Sequence, residues 1–220
     1  MSRPSFVDGW GMQSNTAAWG RIARMNRGNA RPIESIQWQP QERLGQLSMD
    51  AQLRPWLIGK GLLTLRLREA CGARFALRLV DQWSGLLSAS HKAALRTADN
   101  AGLFRDVEMC CGGHVWVFGQ AIIPDSTLCV HPWLAELGDS ALEETLADLS
   151  GVERGPHEFA WLPTKEAVTA RALRDAEIKP AGLWARRARV ALRAAPMLIQ
   201  ELFLTTRTTT DLLLSSSHLR

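Results

Sequence analysis

The stretch that decides the fold is AGLWARRARVALRAAPMLIQELFL, residues 181–204. It contains two β-prone segments, RVALR and MLIQELFL, joined by Ala194-Ala195-Pro196, and it therefore predicts a hairpin. The second segment is almost entirely apolar, which is typical of a strand buried on both faces. Glu201 lies inside it, and a buried carboxylate without a partner is costly. The fold must therefore provide Glu201 with a partner.

A second hairpin is predicted by LFRDVEMCCGGHVWVFGQAII, residues 103–123, where two β-prone runs flank Gly112-Gly113. Such a glycine pair supplies the positive φ angles of a tight turn. ARFALRLVDQW, residues 73–83, alternates between apolar and polar positions and predicts a strand with one solvent-facing side. HEFAWLPTKE, residues 157–166, is another predicted strand.

Helices are predicted between these strands. GLLTLRLREACG, residues 61–72, favours a helix, although its alternating leucines leave a strand open. Residues 126–151 are mostly helical in pattern, with Gly138 as a stop and Asp139 or Ser140 as the next N-cap. Hairpin strands with helices between them indicate the α+β class, an antiparallel β-sheet with helices packed on it.

The chain of 220 residues, with 46% hydrophobic and 22% charged residues, is typical of one globular domain. Residues 1–50 carry several Pro, Gly and Asn without sustained periodicity, so we expect a poorly ordered N-terminal extension. Residues 51–205 form the predicted domain. Residues 206–220 are low in complexity and are predicted to be a flexible C-terminal tail.

The net charge of +4 suits an enzyme for an anionic substrate as well as a weak nucleic-acid binder. Residues 1–50 show no pair of helices joined by a tight turn, so no DNA-binding head and no nucleic-acid partner are predicted. No run reaches the roughly 18 apolar residues of a membrane span, and the N-terminus lacks a signal-peptide core.

The four cysteines, Cys71, Cys110, Cys111 and Cys129, include no C-x-x-C pair. This spacing speaks against a zinc site and against a disulfide framework. The expectation is a reduced, cytoplasmic protein, which we take to be a monomer.

Strand alternation places two opposite charges on apolar faces. Arg105 shares a face with Leu103, Val107 and Met109. Glu201 shares a face with Met197, Ile199 and Phe203. A buried charge must be paired or hydrogen-bonded. Either Arg105 and Glu201 pair with each other, or one of their strands is an exposed edge, or both face a closed ligand pocket.

In the pocket interpretation, Arg105 holds a ligand carboxylate by a bidentate contact and Glu201 meets a polar group at the other end of the ligand. Burial would raise the pKa of Glu201 and favour proton transfer. The arginines that precede Glu201 are either a solvated face or an entry route for an anion; they are Arg186, Arg187, Arg189 and Arg193. The five histidines are scattered, so no metal site is predicted, and no nucleotide-binding or acyl-enzyme motif occurs.

Several separated blocks resemble bacterial chorismate pyruvate-lyase. AGLWARRARVALRAAPMLIQELFL resembles the family's GLW-x-RR-x-R run and its P-x-L-x-x-ELFL segment. FRDVEMCCGGHVWVFGQAIIPDSTL resembles its strand, turn and strand ending in P-x-STL, and WLIGKGLLTLRL resembles its early W-L segment. The resemblance runs from about residue 53 to residue 204, in the right order and with near-equal spacing.

The resemblance implies an enzyme that converts chorismate to 4-hydroxybenzoate and pyruvate for ubiquinone biosynthesis, with no cofactor and no metal. It implies an internal ligand cavity under two helical flaps. Carried over residue by residue, the cavity arginine falls on Arg105 and the cavity glutamate on Glu201, and both are candidate catalytic and ligand-binding residues. Apolar flap contacts fall on Leu63 and Leu142. Many members have an arginine where this chain has Gln120, which would affect substrate binding if that arginine contacts chorismate.

Two rival functions share this resemblance. The resemblance also implies a fold that effector domains of some transcription regulators share. The main alternative is therefore a non-catalytic module that binds a small aromatic acid. An inactive lyase-like interaction protein is the third. In the enzyme interpretation, a closed cavity fitted to an aromatic acid also predicts slow product release and product inhibition.

Overall fold

The structure, a computed structural model, describes residues 36–46, 49–176 and 179–204. Within these ranges the chain forms one antiparallel sheet of eight strands, in the order β1-β6-β7-β8-β4-β3-β2, with β5 paired to β7. The strands are β1 (Gln39–Pro40), β2 (Phe75–Leu86), β3 (Ala101–Cys111), β4 (His114–Pro124), β5 (Val152–Arg154), β6 (Glu158–Pro163), β7 (Gly182–Leu192) and β8 (Ala195–Phe203).

Short helices connect the strands and cover the sheet. They are α1 (Arg54–Ile58), α2 (Leu63–Cys71), α3 (Ala89–Leu95), α4 (Asp125–Val130), α5 (Leu142–Ala147) and α6 (Ala167–Ala172), with 3₁₀ turns at Gln41–Gln46, Gly72–Arg74 and Pro132–Ala135. The predicted α+β class, an antiparallel sheet with helices packed on it, is confirmed.

Both predicted hairpins are present. Gly112 and Gly113 turn between β3 and β4 with φ angles of 57° and 86°, as the glycine pair predicted. In the β7–β8 hairpin, the turn residues are instead Arg193 and Ala194, with φ angles of 49° and 70°. Ala195 already pairs with Leu192, so the predicted junction over residues 194–196 was misplaced.

The loop before α5 differs from its predicted capping. Gly138 ends the preceding turn with a φ of 53°, as expected. The N-cap of α5 is Ala141, which makes no side-chain capping bond, rather than Asp139 or Ser140. Asp139 Oδ1 instead accepts a hydrogen bond of 2.6 Å from the backbone N–H of Leu79, so this side chain ties the loop to β2.

The sheet has two covered faces. The front face is defined here as the one that carries Arg105 and Glu201; α1, α2 and α5 pack against it through Leu57, Leu63 and Leu142. The back face carries the alternate residues and packs against α3 and α6. Because β3, β4 and β8 are interior strands with apolar cover on both sides, both of their faces are buried.

The sheet also begins earlier than predicted. Residues 36–46 fall in the predicted N-terminal extension, but β1 pairs with β6 and Leu44 is buried in the core. This short edge strand corrects the boundary at residue 50 for these residues. The rest of the predicted extension, residues 1–35, and the predicted tail, residues 206–220, lie outside the described residues.

Cys71 and Cys111 form a disulfide, with their Cα atoms 5.7 Å apart. The prediction of a chain without disulfides, and hence of a reduced protein, is therefore wrong for this structure. The cysteines lie 40 residues apart, and they meet because α2 ends over the last residue of β3. Motif spacing cannot show such a tertiary contact. Cys110 and Cys129 are free.

Within the described ranges, no helix is long and apolar enough to cross a membrane.

We expect Cys71→Ser, or reduction of the wild type, to lower the free energy of unfolding by about 2–4 kcal/mol, because the crosslink restricts the unfolded chain. Urea unfolding with and without reductant measures the change. Cys129→Ser removes an exposed free thiol and is the matched control. Equal unfolding midpoints for the oxidised and reduced wild type would contradict the prediction.

Candidate active site

The partner of Glu201 is Arg186, which lies directly opposite it in the β7–β8 hairpin. Arg186 Nε donates to Glu201 Oε2, and the two residues are only 1% and 3% exposed. Arg186 Nη1 also donates to the carbonyl oxygen of Leu57 at 3.0 Å, which joins the end of α1 to the sheet. Pairing of Glu201 with Arg105, one of the predicted alternatives, is therefore wrong, and so is an exposed edge strand.

Arg105 makes a different set of contacts. Its Nη2 donates to the carbonyl oxygens of Gly138 at 2.6 Å and Ser140 at 2.8 Å, in the loop that leads into α5. Arg105 is 1% exposed, and its Nε has no hydrogen-bond partner. The guanidinium thus anchors the loop with one nitrogen and keeps another unbonded.

Arg105, Glu201 and Leu142 line one cavity between the front face and the helices α2 and α5. Its volume is about 30 Å³. Such a space holds a water molecule or two, so a ring-sized ligand requires the covering helices to move. Leu63, the other predicted flap residue, is fully buried but does not line the cavity, whereas its neighbour Thr64 does. The other lining residues are Leu77, Val107, Met109, Gly119, Gln120, Ala121, Ala141, Glu143 and Ile199.

Within the part of the chain that the structure describes, three residues that line this cavity each carry a buried side-chain atom without a hydrogen-bond partner. These atoms are Arg105 Nε, Glu143 Oε2 and Glu201 Oε1. A buried polar atom left unbonded is unfavourable by roughly 1–3 kcal/mol, more when it is charged. Their convergence on one cavity therefore indicates a site that is completed by a polar ligand.

Sequence reasoning missed Glu143, and it named Arg186 only as part of the arginine run, without its pairing with Glu201. The alternative of a solvated face is wrong for Arg186 and Arg187, which are buried. Glu143 lies in α5, is 7% exposed, and accepts from Arg154 Nη1 at 2.6 Å through Oε1. Burial raises the pKa of Glu143, and the nearby charge of Glu201 raises it further. The position of Arg186 was readable from β7, because it shares a strand face with Ala188 and Val190. α5 has only six residues, which is too short for a hydrophobic periodicity that could predict the burial of Glu143.

The surroundings of Arg186 keep its guanidinium group protonated. Burial lowers the pKa of Arg186, but the charge of Glu201 and the hydrogen bond to it outweigh burial, and the pKa is raised. Burial, with the charge of Arg186, lowers the pKa of His157 to about 4. His157 is therefore neutral at physiological pH and adds no charge to the site.

A larger cavity of about 470 Å³ lies on the back face. Two of its arginines are already paired, Arg171 with Asp106 at 2.7 Å and Arg187 with Glu158 at 2.8 Å. None of the unbonded buried side-chain atoms found in the described residues lines it. The buried polar atoms without hydrogen-bond partners therefore favour the cavity between the front face and the helices α2 and α5 as the functional site. It is called the front cavity below. The back cavity is lined by Ile36, Trp38, Trp83, Gly85, Leu86, Ser88, Ser90, His91, Phe104, Gln120, Leu162, Glu166, Ala167, Val168, Arg171, Arg187 and Gln200.

The side chain of Gln120 faces the back of the sheet. Its amide nitrogen donates to Asp106 Oδ1 at 2.7 Å, and its oxygen accepts from Gln200 at 3.1 Å. Asp106 and Gln200 alternate with Arg105 and Glu201 along their strands, so these contacts lie on the opposite face. The amide of Gln120 is thus engaged away from the cavity that holds Arg105.

An antiparallel sheet with a closed cavity, in which arginine and carboxylate atoms lack protein partners, defines a protein that binds a small anionic ligand. The chain belongs to the chorismate lyase family, whose model matches residues 32–211. The chorismate pyruvate-lyase of Erwinia tasmaniensis is 30% identical over 177 residues, covering 80% of this chain and 90% of that protein. The probable chorismate pyruvate-lyase of Vibrio vulnificus (strain CMCP6) is 31% identical over 150 residues, covering 68% of this chain and 76% of that protein.

Solved structures of transcriptional regulators are also similar to this chain, at lower sequence identity. The effector domain of PhnF from Mycobacterium smegmatis has a TM-score of 0.48 and 14% identity, covering 66% of this chain and 90% of that chain. The C-terminal domain of a histidine utilization repressor from Pseudomonas syringae has a TM-score of 0.46 and 12% identity, covering 59% of this chain and 91% of that chain. Similarity of this degree does not bear on the function of this protein.

We expect Arg186→Met or Glu201→Leu alone to lower the free energy of unfolding by about 3–5 kcal/mol, because each leaves a buried charge unpaired. The double variant should recover much of this loss, since both charges are gone. Urea unfolding of the four proteins measures the coupling. Glu144→Leu, which breaks the exposed pair with Arg68, should cost less than about 1 kcal/mol. Strictly additive losses in the double variant would contradict a coupled pair.

Proposed function

We propose that this protein is a chorismate lyase, which converts chorismate to 4-hydroxybenzoate and pyruvate. The observation that carries the proposal is the pair of unbonded charged groups, Arg105 Nε and Glu201 Oε1, on one closed cavity. The strands β3 and β8 are separated by β4. Val107, not Arg105, lies level with Glu201 across β4, so two strand spacings and a two-residue offset place the backbones of Arg105 and Glu201 about 12 Å apart. Because both long side chains reach into the space between them, this separation suits a six-membered ring with polar groups at opposite ends.

In this arrangement Arg105 binds the ring carboxylate. Its Nε is free to donate, and the carbonyl oxygens of Gly138 and Ser140 hold the guanidinium in place. A hydrogen bond between an arginine and a carboxylate is charge-assisted and therefore strong. Arg105 thus fixes the orientation of the ring before the reaction begins.

Glu201 meets the ring hydroxyl. Its Oε2 is held by Arg186, and its Oε1 has no protein partner and can accept a hydrogen bond from a ligand. Chorismate loses its enolpyruvyl group and one ring proton, and the ring becomes aromatic. Because the carboxyl group is buried and held in place by Arg186, it is suited to hold the hydroxyl and to receive that proton. The remaining task of the protein is to orient the ring and exclude water.

The reaction in this proposal needs no cofactor, because loss of enolpyruvate and a proton changes no oxidation state overall. The described residues contain no group of three or more His, Cys, Asp or Glu side chains placed to bind a metal ion. Action as a monomer in the cytoplasm, and use of 4-hydroxybenzoate for ubiquinone biosynthesis, are parts of the same proposal.

The helices α2 and α5 act as the flaps over the cavity. The proposal assigns apolar ligand contacts to Leu142, which lines the cavity, and to Leu63, which lies next to the lining residue Thr64. Arg68 of α2 pairs with Glu144 of α5 at 3.1 Å. Because the closed cavity is smaller than an aromatic acid, the flaps must open for entry and for release. Slow release and inhibition by 4-hydroxybenzoate follow from this requirement.

We expect purified protein to convert chorismate to equal amounts of 4-hydroxybenzoate and pyruvate. Arg105→Ala should lower kcat/KM by about 10²-fold or more, because a buried charge-assisted contact is lost. Glu201→Ala should lower kcat by about 10²–10³-fold, because it removes a preorganised charged group next to the reacting ring. Both products are followed together in one assay.

Arg189→Ala is the matched arginine control, because Arg189 lies on β7 but donates to Leu95 on the back face. Its kcat/KM should stay near that of the wild type. Absence of product from folded wild-type protein would overturn the proposal. Binding of 4-hydroxybenzoate without turnover would then favour a non-catalytic binding module.

A further inference from the structure

Glu143 is a second carboxyl group of the front cavity. It lines the cavity from α5, is 7% exposed, and leaves Oε2 without a hydrogen-bond partner. Its neighbour Glu144 is directed instead to the exposed Arg68 on α2. One of two consecutive glutamates in the same helix is thus buried at the candidate site and the other is not.

The two cavity carboxyls have unequal partners. Glu201 pairs with Arg186, whose side chain is 1% exposed, so this pair is almost fully removed from water. Glu143 pairs with Arg154, whose side chain is 29% exposed, so solvent screens this pair more. Glu143 is therefore the cavity carboxyl whose ion pair is more open to solvent, and it is the one that can change its charge. Burial and the charge of Glu201 raise the pKa of Glu143, in agreement with this assignment.

The difference between Glu143 and Glu201 matters because of the net charge of the site. Three guanidinium groups, those of Arg105, Arg154 and Arg186, face two carboxylates, Glu143 and Glu201, and their sum is one positive charge. A dianion entering this cavity would leave one uncompensated negative charge. Protonation of one carboxyl restores neutrality, which a buried site strongly favours.

Three further groups act on this cluster. The first is Asp139, whose charge interacts with Arg105 but whose exposed carboxylate is screened by solvent and is left out of the balance. His157 is neutral, because burial and Arg186 lower its pKa to about 4. Arg66 interacts with Arg186 and Glu201 but is partly exposed, and its guanidinium donates to the carbonyl oxygens of Trp56 and Pro55. Arg66 is bonded to these backbone oxygens and, unlike Arg154, forms no ion pair with Glu143 or Glu201, so it is left out of the balance.

We propose that Glu143 is a further ligand-contacting residue for the proposed reaction, one that takes up a proton when the dianionic substrate enters. Protonated Oε2 then donates a hydrogen bond to the enolpyruvyl group. This contact strengthens as negative charge grows on that group while its bond to the ring breaks. The inference rests on the proposed function, since it concerns the same cavity and the same substrate.

The proposal fixes the direction of a pH effect. The protonated form of Glu143 is the competent form of the free enzyme, so kcat/KM must fall as pH rises above the pKa of Glu143. Glutamine keeps a hydrogen-bond donor at this position and does not titrate. Glu143→Gln should therefore lack the falling limb that the wild type shows.

The test measures kcat/KM for chorismate from about pH 6 to about pH 10. In the wild type and in Glu144→Gln, the value should fall roughly tenfold per pH unit above the midpoint, whereas in Glu143→Gln it should change less than about threefold. The same falling limb in Glu143→Gln would overturn the proposal.

If Glu143 serves only to hold Arg154 in place, the variants should behave differently from what the proposal predicts. In that case Arg154→Gln and Glu143→Gln would lower stability alike and leave the shape of the pH profile unchanged, which also overturns the proposal. Glu143→Leu, which removes the donor, should lose activity at every pH. Thermal unfolding of each variant shows whether it is folded.

A second measurement does not depend on turnover. Calorimetry with 4-sulfobenzoate, a dianion whose sulfonate does not titrate, is carried out at about pH 9 in two buffers of different ionisation heat. Binding should take up close to one proton in the wild type and close to none in Glu143→Gln. Equal proton uptake in both overturns the role of Glu143, whereas failure of chorismate turnover alone counts against the proposed function.

Discussion

The site depends on one interaction, the buried ion pair between Arg186 and Glu201. Neither charge would be tolerated alone between the sheet and its helices, because an unpaired buried ion is strongly destabilising. The pair also leaves each partner with a second role. Arg186 reaches the carbonyl oxygen of Leu57 and so joins α1 to the sheet, while Glu201 keeps Oε1 unbonded at the cavity. A structural contact thus prepares the carboxylate for a ligand.

The front cavity joins charges from separate parts of the fold. Arg105 comes from β3 and Glu201 from β8, whereas Glu143 comes from a helix that covers them. The same guanidinium of Arg105 binds the loop that leads into that helix. Movement of the cover is therefore coupled to the arginine that orients the substrate in the proposed reaction. In the proposed reaction, the substrate provides hydrogen-bond partners for the buried polar atoms that have none in this structure.

The fold and half of the site could be predicted from local pattern. Alternation placed Arg105 and Glu201 on buried faces, and the glycine pair gave the β3–β4 turn. The partner of Glu201 was missed because the hairpin register is set by the turn: a junction over residues 194–196 would put Arg189 opposite Glu201, whereas the observed turn puts Arg186 there. The Cys71–Cys111 disulfide and the burial of Glu143 depend on helix docking, which strand alternation does not encode.

The most direct measurement of the central claim is a crystal structure of the protein with 4-hydroxybenzoate. The account predicts one ring in the front cavity, with its carboxylate bonded to Arg105 and its hydroxyl bonded to Glu201 Oε1, and with α2 and α5 closed over it. The Arg186–Glu201 pair should remain intact. A ring in the back cavity beside Arg187, or a ring that leaves Arg105 and Glu201 unbonded, would contradict the account.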